Sequence, residues 1–198
     1  KPQPKPQPTP PAAAPAAVAA ETGSEIPVIK GSAAVPGRPV LTGHVLVVDD
    51  LETNRELLRR YLVRDGHRVT LAGGGREALA IADREPFDVI LLDLMMPDLN
   101  GFAVLSRLKA DGRTEDIPVI MISAFDEESH AIHCIEAGAE DYLTKPFDIV
   151  LLRARLNSCI ERKRAMDREK VYRDRLEVEK GKSENLLLNI LPPTIISR

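Results

Sequence analysis

Five side chains with acid, hydroxyl or amine chemistry stand at or just past the ends of short apolar runs. Asp49 and Asp50 follow Val45-Leu46-Val47-Val48, Asp93 follows Val89-Ile90-Leu91-Leu92, Ser123 follows Val119-Ile120-Met121-Ile122, and Lys145 lies two residues past Leu143. Adjacent carboxylates repel unless a cation or hydrogen-bond donors answer them, so Asp49-Asp50 reads as part of an oxygen-ligand metal site. Asp93 arrives where Pro97 and Asn100-Gly101 force the backbone to turn. Taken alone, an aspartate capping its own turn would account for it. Three acids, a hydroxyl and an amine brought together would do more. Mg²⁺ prefers oxygen ligands and takes a few carboxylates plus phosphate oxygens and water, which Asp49, Asp50 and Asp93 supply. With Asp93 as nucleophile toward a phosphoryl group, Lys145 would pair with one phosphoryl oxygen and the Ser123 hydroxyl would donate to another.

These groups meet only if the apolar runs are parallel neighbours, and the stretches between the runs argue that they are. After Asp50, Leu57, Leu58, Tyr61 and Leu62 recur at helical spacing, with Thr53 or Asn54 placed to cap and Gly66 to stop the helix. Val69 and Leu71 alternate through a second strand, and Ala78, Leu79, Ile81 and Ala82 mark a second helix to about Arg84. A third helix follows Gly101, with Phe102, Val104, Leu105 and Leu108 on its inner side and a stop near Asp111-Gly112. A fourth covers about 127–136 and stops at Gly138, and a fifth strand covers about 140–143. Strands alternating with helices specify an α/β fold, here (βα)5: a flavodoxin-like five-stranded parallel sheet with helices on both faces. Right-handed crossovers then place all five strand ends on one edge.

Composition excludes several alternatives. The 198 residues carry a formal charge of −3 and a pI of about 5.9, giving no basic excess for nucleic acid. Cys134 and Cys159 follow no metal or disulfide spacing, so a reducing, cytoplasmic setting is expected. Apolar runs are too short to span a membrane. Gly73-Gly74-Gly75 lacks the GxxxxGK[ST] and GxGxxG patterns and reads as a tight turn. His130, His133 and Cys134 read as a helix face rather than a metal site, since no fourth ligand is visible. Arg162-Lys163-Arg164 is flanked by Glu161, Asp167 and Glu169, as on a solvated mixed-charge helix. Residues 1–43, with Lys-Pro-Gln-Pro repeats and proline-broken alanines, are expected to be a disordered linker. Because the sequence starts at Lys1 rather than Met, it is expected to be part of a longer product.

The segment from about His44 to Lys163, with a core at 44–147, resembles a response-regulator receiver domain of two-component signalling. The likeness rests on Val47-Val48-Asp49-Asp50, Leu92-Asp93-Leu94-Met95-Met96-Pro97 with Asn100-Gly101, Ile122-Ser123-Ala124 and Lys145-Pro146-Phe147, with the family's spacing between them. It implies that Asp93 accepts a phosphoryl group from a histidine kinase or phosphotransfer protein. It also implies that Asp49 and Asp50 hold Mg²⁺ with the Met95 backbone carbonyl, and that Tyr142 rotates as Ser123 shifts. Met95 and Phe125 would flank the path of hydrolytic water; both are apolar, so spontaneous dephosphorylation is expected to be slow.

From Asp148, placed to cap, a fifth helix has no evident stop before about residue 191. Leu152, Leu156, Cys159 and Met166 lie near four-three spacing, and Tyr172, Leu176, Leu186 and Ile190 resume it after a shift of phase. That seam is expected to form a homodimeric coiled coil with a discontinuity, weakened at Gly181. Residues 183–196, with Leu186-Leu187-Leu188-Asn189-Ile190-Leu191-Pro192-Pro193, resemble the element preceding class III nucleotide cyclase domains, which makes 192–198 the start of an output connector. The alternatives are a stand-alone phosphorylation-dependent interaction module, or a regulator of another output such as a phosphatase. A DNA-binding regulator is disfavoured, because no basic recognition helix follows.

Overall fold

Each apolar run becomes a strand because β-branched and leucine side chains, covered on both faces, have no polar face to turn toward water. The computed structural model describes residues 41–124 and 128–190, residue 128 and the last eight by backbone alone. Its elements alternate: β1 (His44–Val48), α1 (Glu52–Arg64), β2 (Arg68–Ala72), α2 (Gly75–Ala82), β3 (Val89–Asp93), α3 (Gly101–Ala110), β4 (Val119–Ser123), α4 (Glu128–Glu136), β5 (Asp141–Thr144) and α5 (Ile149–Ile190). All strand pairs are parallel, in the order β2-β1-β3-β4-β5. This is the expected flavodoxin-like doubly wound sheet. The order reverses between β1 and β3, the switch point at which such sheets bind ligands.

Alternation along the strands splits the core into two layers. Leu46, Val48, Ile90, Leu92, Val119 and Met121 face α2, α3 and α4. Val45, Val47, Val89, Leu91, Ile120 and Ile122 face α1 and the first turns of α5. The chain leaves α1 and α4 through Gly66 at φ +90 and Gly138 at φ +96, a left-handed backbone that stops a helix at little cost only in glycine.

Several expectations about the helices are corrected. Neither Thr53 nor Asn54 caps α1; the cap position is Leu51, which makes no side-chain cap bond. The second helix ends at Ala82, short of Arg84. Phe102 is 40% exposed rather than inward, since it lies well round α3 from the buried stripe of Val104, Leu105 and Leu108. On α5, Asp148 does cap, its carboxylate accepting from Val150 N–H at 2.7 Å. Leu152, Leu156 and Cys159, however, are buried against the chain's own sheet together with Ile160, so they cannot face a partner helix. Met166, Val171, Tyr172, Leu176 and Val178 are exposed. Residues 1–40, Phe125 and the 192–198 connector lie outside the described residues.

Candidate functional site

Register fixes the site. Val48 pairs with Leu92 and with Ala72, Asp93 with Ile122, and Ser123 with Thr144, so Asp49, Asp93, Ser123 and Lys145 fall at one sheet edge. Carboxylate oxygens of Asp49, Asp50 and Asp93 lie within 4.8 Å of one another. Asp49, Asp93, Ser123 and Lys145 are all buried, Ser123 completely. The Ser123 carbonyl accepts from the Lys145 N–H at 2.6 Å, which ties the lysine's backbone to the end of β4. Tyr142, half-buried on β5, packs against the layer containing α3 and α4.

Lys145 brings its ammonium group to the carboxylates of two of the three acids. Its Nζ donates to Asp49 Oδ2 at 2.9 Å and lies 3.3 Å from Asp93 Oδ2. The second contact is an ion pair without hydrogen-bond alignment, and Asp93 Oδ2 retains an unspent lone pair. Asp50 Oδ1 is likewise buried without a donor. Asp49 differs. It accepts from Leu51 N–H at 2.9 Å and from the Asn54 amide at 3.1 and 3.0 Å, besides Lys145.

Burial pushes the Asp93 carboxyl up to about 6, and the nearby Asp49 charge adds to that; Lys145 and the Met95 backbone N–H pull the other way. Desolvation therefore outweighs the lysine, and a carboxylate here gains from more positive charge. Two buried, donor-less oxygens on adjacent acids fit a hard cation. The donor set, all carboxylate oxygen with no sulfur or imidazole, suits Mg²⁺ over zinc.

The turn after Asp93 is set by close packing. A Cβ on Gly101 would stand 2.2 Å from the Asp93 carbonyl oxygen and 2.9 Å from Leu94 Cα, both backbone. Only glycine lets α3 start so near the end of β3. Asn100 caps that helix by accepting from Ala103 N–H at 2.9 Å. At Gly73–Gly74 the chain bends into α2, which starts at Gly75, and the Gly73 N–H is taken by the Glu77 carboxylate at 2.7 Å. His130 is half-buried and His133 exposed, while Cys134 points into the core, so the three do not converge.

Sequence reasoning missed two residues of the first turn of α1. Asn54, 1% exposed, spans both Asp49 oxygens, and Arg55 Nη1 donates to the carbonyls of Asp49 and Asp50 at 2.7 and 2.9 Å. The available signal was their position, four and five residues after the acidic pair, where a first helical turn doubles back over the strand end.

The family model of the response regulator receiver domain matches residues 45–157, more than half of the chain. Response regulator PleD of Caulobacter vibrioides is 44% identical over 127 residues, which are 64% of this chain and 28% of that protein. A Francisella response regulator receiver domain superposes with a TM-score of 0.58 at 36% identity, covering 61% of this chain and 98% of that one. The receiver domain of a sensor histidine kinase from Pseudomonas aeruginosa PAO1, solved with a magnesium ion coordinated in its active site cleft, gives 0.57 at 30%, covering 61% and 99%. This chain thus spans a quarter to a half of the length of several curated relatives and nearly all of the isolated receiver domains. The acidic edge, the bridging lysine and the match across 45–157 together make the chain a member of the response regulator receiver domain family, the phosphoacceptor module of two-component signalling.

Proposed function

We propose that Asp93 is the phosphoacceptor, taking a phosphoryl group from a histidine kinase or phosphotransfer protein with Mg²⁺ held by Asp49, Asp50, Asp93 and the Met95 carbonyl. The observation that carries this is Lys145 placed between Asp49 and Asp93 while Asp50 Oδ1 and Asp93 Oδ2 keep unspent lone pairs. Mg²⁺ supplies positive charge that offsets the acceptor carboxylate and the incoming phosphoryl oxygens. Asp50 and Asp93 have lone pairs for it, and Asp49, already accepting four hydrogen bonds, would help to hold it chiefly through its negative charge.

An Asp93 carboxylate oxygen attacks phosphorus in line. The bond from phosphorus to the donor's histidine nitrogen breaks, and the imidazole leaves as its electron pair's owner, giving an acyl phosphate. Lys145 then pairs with one phosphoryl oxygen and the Ser123 hydroxyl donates to another, with Tyr142 following. Met95, together with Phe125, offers no group to orient a hydrolytic water, so the product is long-lived.

The intended output lies along α5. Its exposed apolar residues, among them Tyr172 and Leu176, suit a homodimeric coiled coil, and the resemblance of 183–196 to the cyclase-preceding element makes a class III nucleotide cyclase the favoured output, in the cytoplasm. A stand-alone interaction module is the second reading, favoured by the likeness to Protein PilH of Pseudomonas aeruginosa, 39% identical, of which this chain spans 96%. The division into a 1–43 linker, 44–147 receiver core, 148–191 helix and 192–198 connector belongs to the first reading.

Incubation with acetyl phosphate and Mg²⁺, followed by intact mass measurement, tests the site. The wild type should gain one phosphoryl group and lose it slowly; chelation by EDTA or Asp93→Asn should abolish the gain. Equal labelling of wild type and Asp93→Asn would refute the assignment.

A further inference from the structure

We infer that Asn54 is a positioning residue for phosphoryl transfer: by holding both oxygens of Asp49 it allows Lys145 to leave Asp49 for the phosphoryl group. The inference rests on the reading of Asp93 as acceptor. Lys145 has two tasks that conflict. Before transfer its Nζ is bonded to Asp49 Oδ2 at 2.9 Å and only loosely paired with Asp93 at 3.3 Å. To meet a phosphoryl oxygen on Asp93 it must give up at least part of the Asp49 bond, and Asp49 is 2% exposed. A buried carboxylate that loses its cation with nothing in its place is strongly destabilised. Mg²⁺ drawn to Asp50 and Asp93 offsets part of that charge, but with no other donor on Oδ2 Asp49 would still hold the lysine and slow the step that needs it.

Asn54 removes that conflict. Its amide nitrogen reaches Asp49 Oδ1 at 3.1 Å and Oδ2 at 3.0 Å, so the oxygen that Lys145 vacates keeps a donor, while Leu51 N–H holds the other. Hydrogen bonds to a charged group are among the stronger ones in a protein, and these are fully buried. The placement is fixed from the backbone. Arg55, the next residue, ties the first turn of α1 to the Asp49 and Asp50 carbonyls. The Asn54 side chain is 1% exposed, in a first helical turn where polar side chains usually face water or cap, and here it does neither. An uncharged donor is what the position needs: a lysine or arginine would compete for the phosphoryl oxygens, and an aspartate would add repulsion.

The test uses the full chain with acetyl phosphate, comparing wild type, Asn54→Leu, Asn54→Ser and Asp93→Asn. Rate constants are read at saturating donor over a range of Mg²⁺ concentrations, with Mg²⁺ affinity measured separately by titration calorimetry. Asn54→Leu should lower the saturating rate constant at least tenfold while the donor concentration at half-rate moves less than twofold. Asn54→Ser, which restores one donor, should recover part of the rate. A near-wild-type rate in folded Asn54→Leu would overturn the inference, as would a defect fully rescued by high Mg²⁺, since Asn54 would then act only on metal binding. If Asn54→Leu does not fold, Asn54→Ser decides alone: an unchanged saturating rate overturns the inference and a reduced one at normal Mg²⁺ affinity supports it. Labelling of Asp93→Asn would instead overturn the acceptor assignment and leave the Asn54 comparison to be read against the true acceptor.

Discussion

The acidic edge of the sheet and the outer length of α5 are both dense in charge, yet they use it in opposite ways. At the edge, Lys145 and Asp49 side chains are 2% and 3% exposed and their partners are fixed by strand register. Along α5, Arg173 pairs with Glu169 one helical turn away at 2.9 Å, with side chains 65% and 72% exposed. Water screens the second kind of pair, and its contribution is small. In the first kind, removing one partner leaves an uncompensated buried charge. The difference teaches that burial, more than sequence charge, marks where this chain does chemistry.

Lys145→Met is the strongest way to break that contrast. It leaves Asp49 and Asp93 buried together without their cation, and we expect the metal-free protein to lose about 3–5 kcal/mol in urea unfolding, with added Mg²⁺ recovering part of it. A loss no larger than that of an α5 surface substitution would erase the distinction between the two regions.

Asp93→Asn should act in the opposite direction on stability. The folded-state pKa of Asp93 is raised to about 6 from 3.8, so its contribution to stability is fully present below about pH 4 and is lost as pH rises through about 6. Above that window the ionised carboxylate opposes folding by an amount on the order of 2–3 kcal/mol, taking about 1.4 kcal/mol per pKa unit. We expect metal-free Asp93→Asn to be more stable than wild type at pH 7.5 by that order, with the gap closing toward pH 4 in parallel urea titrations. A gap independent of pH would break the argument.

The smallest effect is expected on the helix. Leu176, 64% exposed, should change receiver unfolding by less than about 0.5 kcal/mol when replaced by alanine. Sedimentation should nevertheless shift toward monomer if the seam beyond the domain forms as proposed. The same replacement at Leu156, 1% exposed, belongs to the core, and its cost, about 2–5 kcal/mol, sets the scale for the comparison.

Much of this was legible in the chain itself. The identities of β1, β3 and β4 followed from unbroken apolar runs such as Val89–Leu92, because a strand buried on both faces has no polar residue to confuse its period. The converging acids, Ser123 and Lys145 followed from parallel topology. Less legible were features decided by three-dimensional packing. Asn54 fits a cap by residue type, and only the doubling back of α1 over β1 turns it toward Asp49. Leu152, Leu156 and Cys159 fit a coiled-coil seam equally well, since a helix face toward a sheet and one toward a second helix share nearly the same spacing. Phe102 shows the reverse: its side chain is apolar, but the helical angle carries it away from the core.

The way α5 is rooted has a mechanical consequence. Arg153 grips Asp65 at the end of α1 through two bonds of 2.6 and 2.8 Å, and Ile160 lies against Gly43 at the start of β1. Further along, Arg162 pairs with Glu140 and Lys170 reaches Asp116 at 3.4 Å. Beyond Lys170 roughly twenty residues extend, about 30 Å at 1.5 Å per residue. For a rigid arm of that length, a tilt of about 5° at the root displaces the far end by about 3 Å. A shift too small to disturb packing at the sheet edge would thus arrive at the far end as a movement comparable to the width of a side chain.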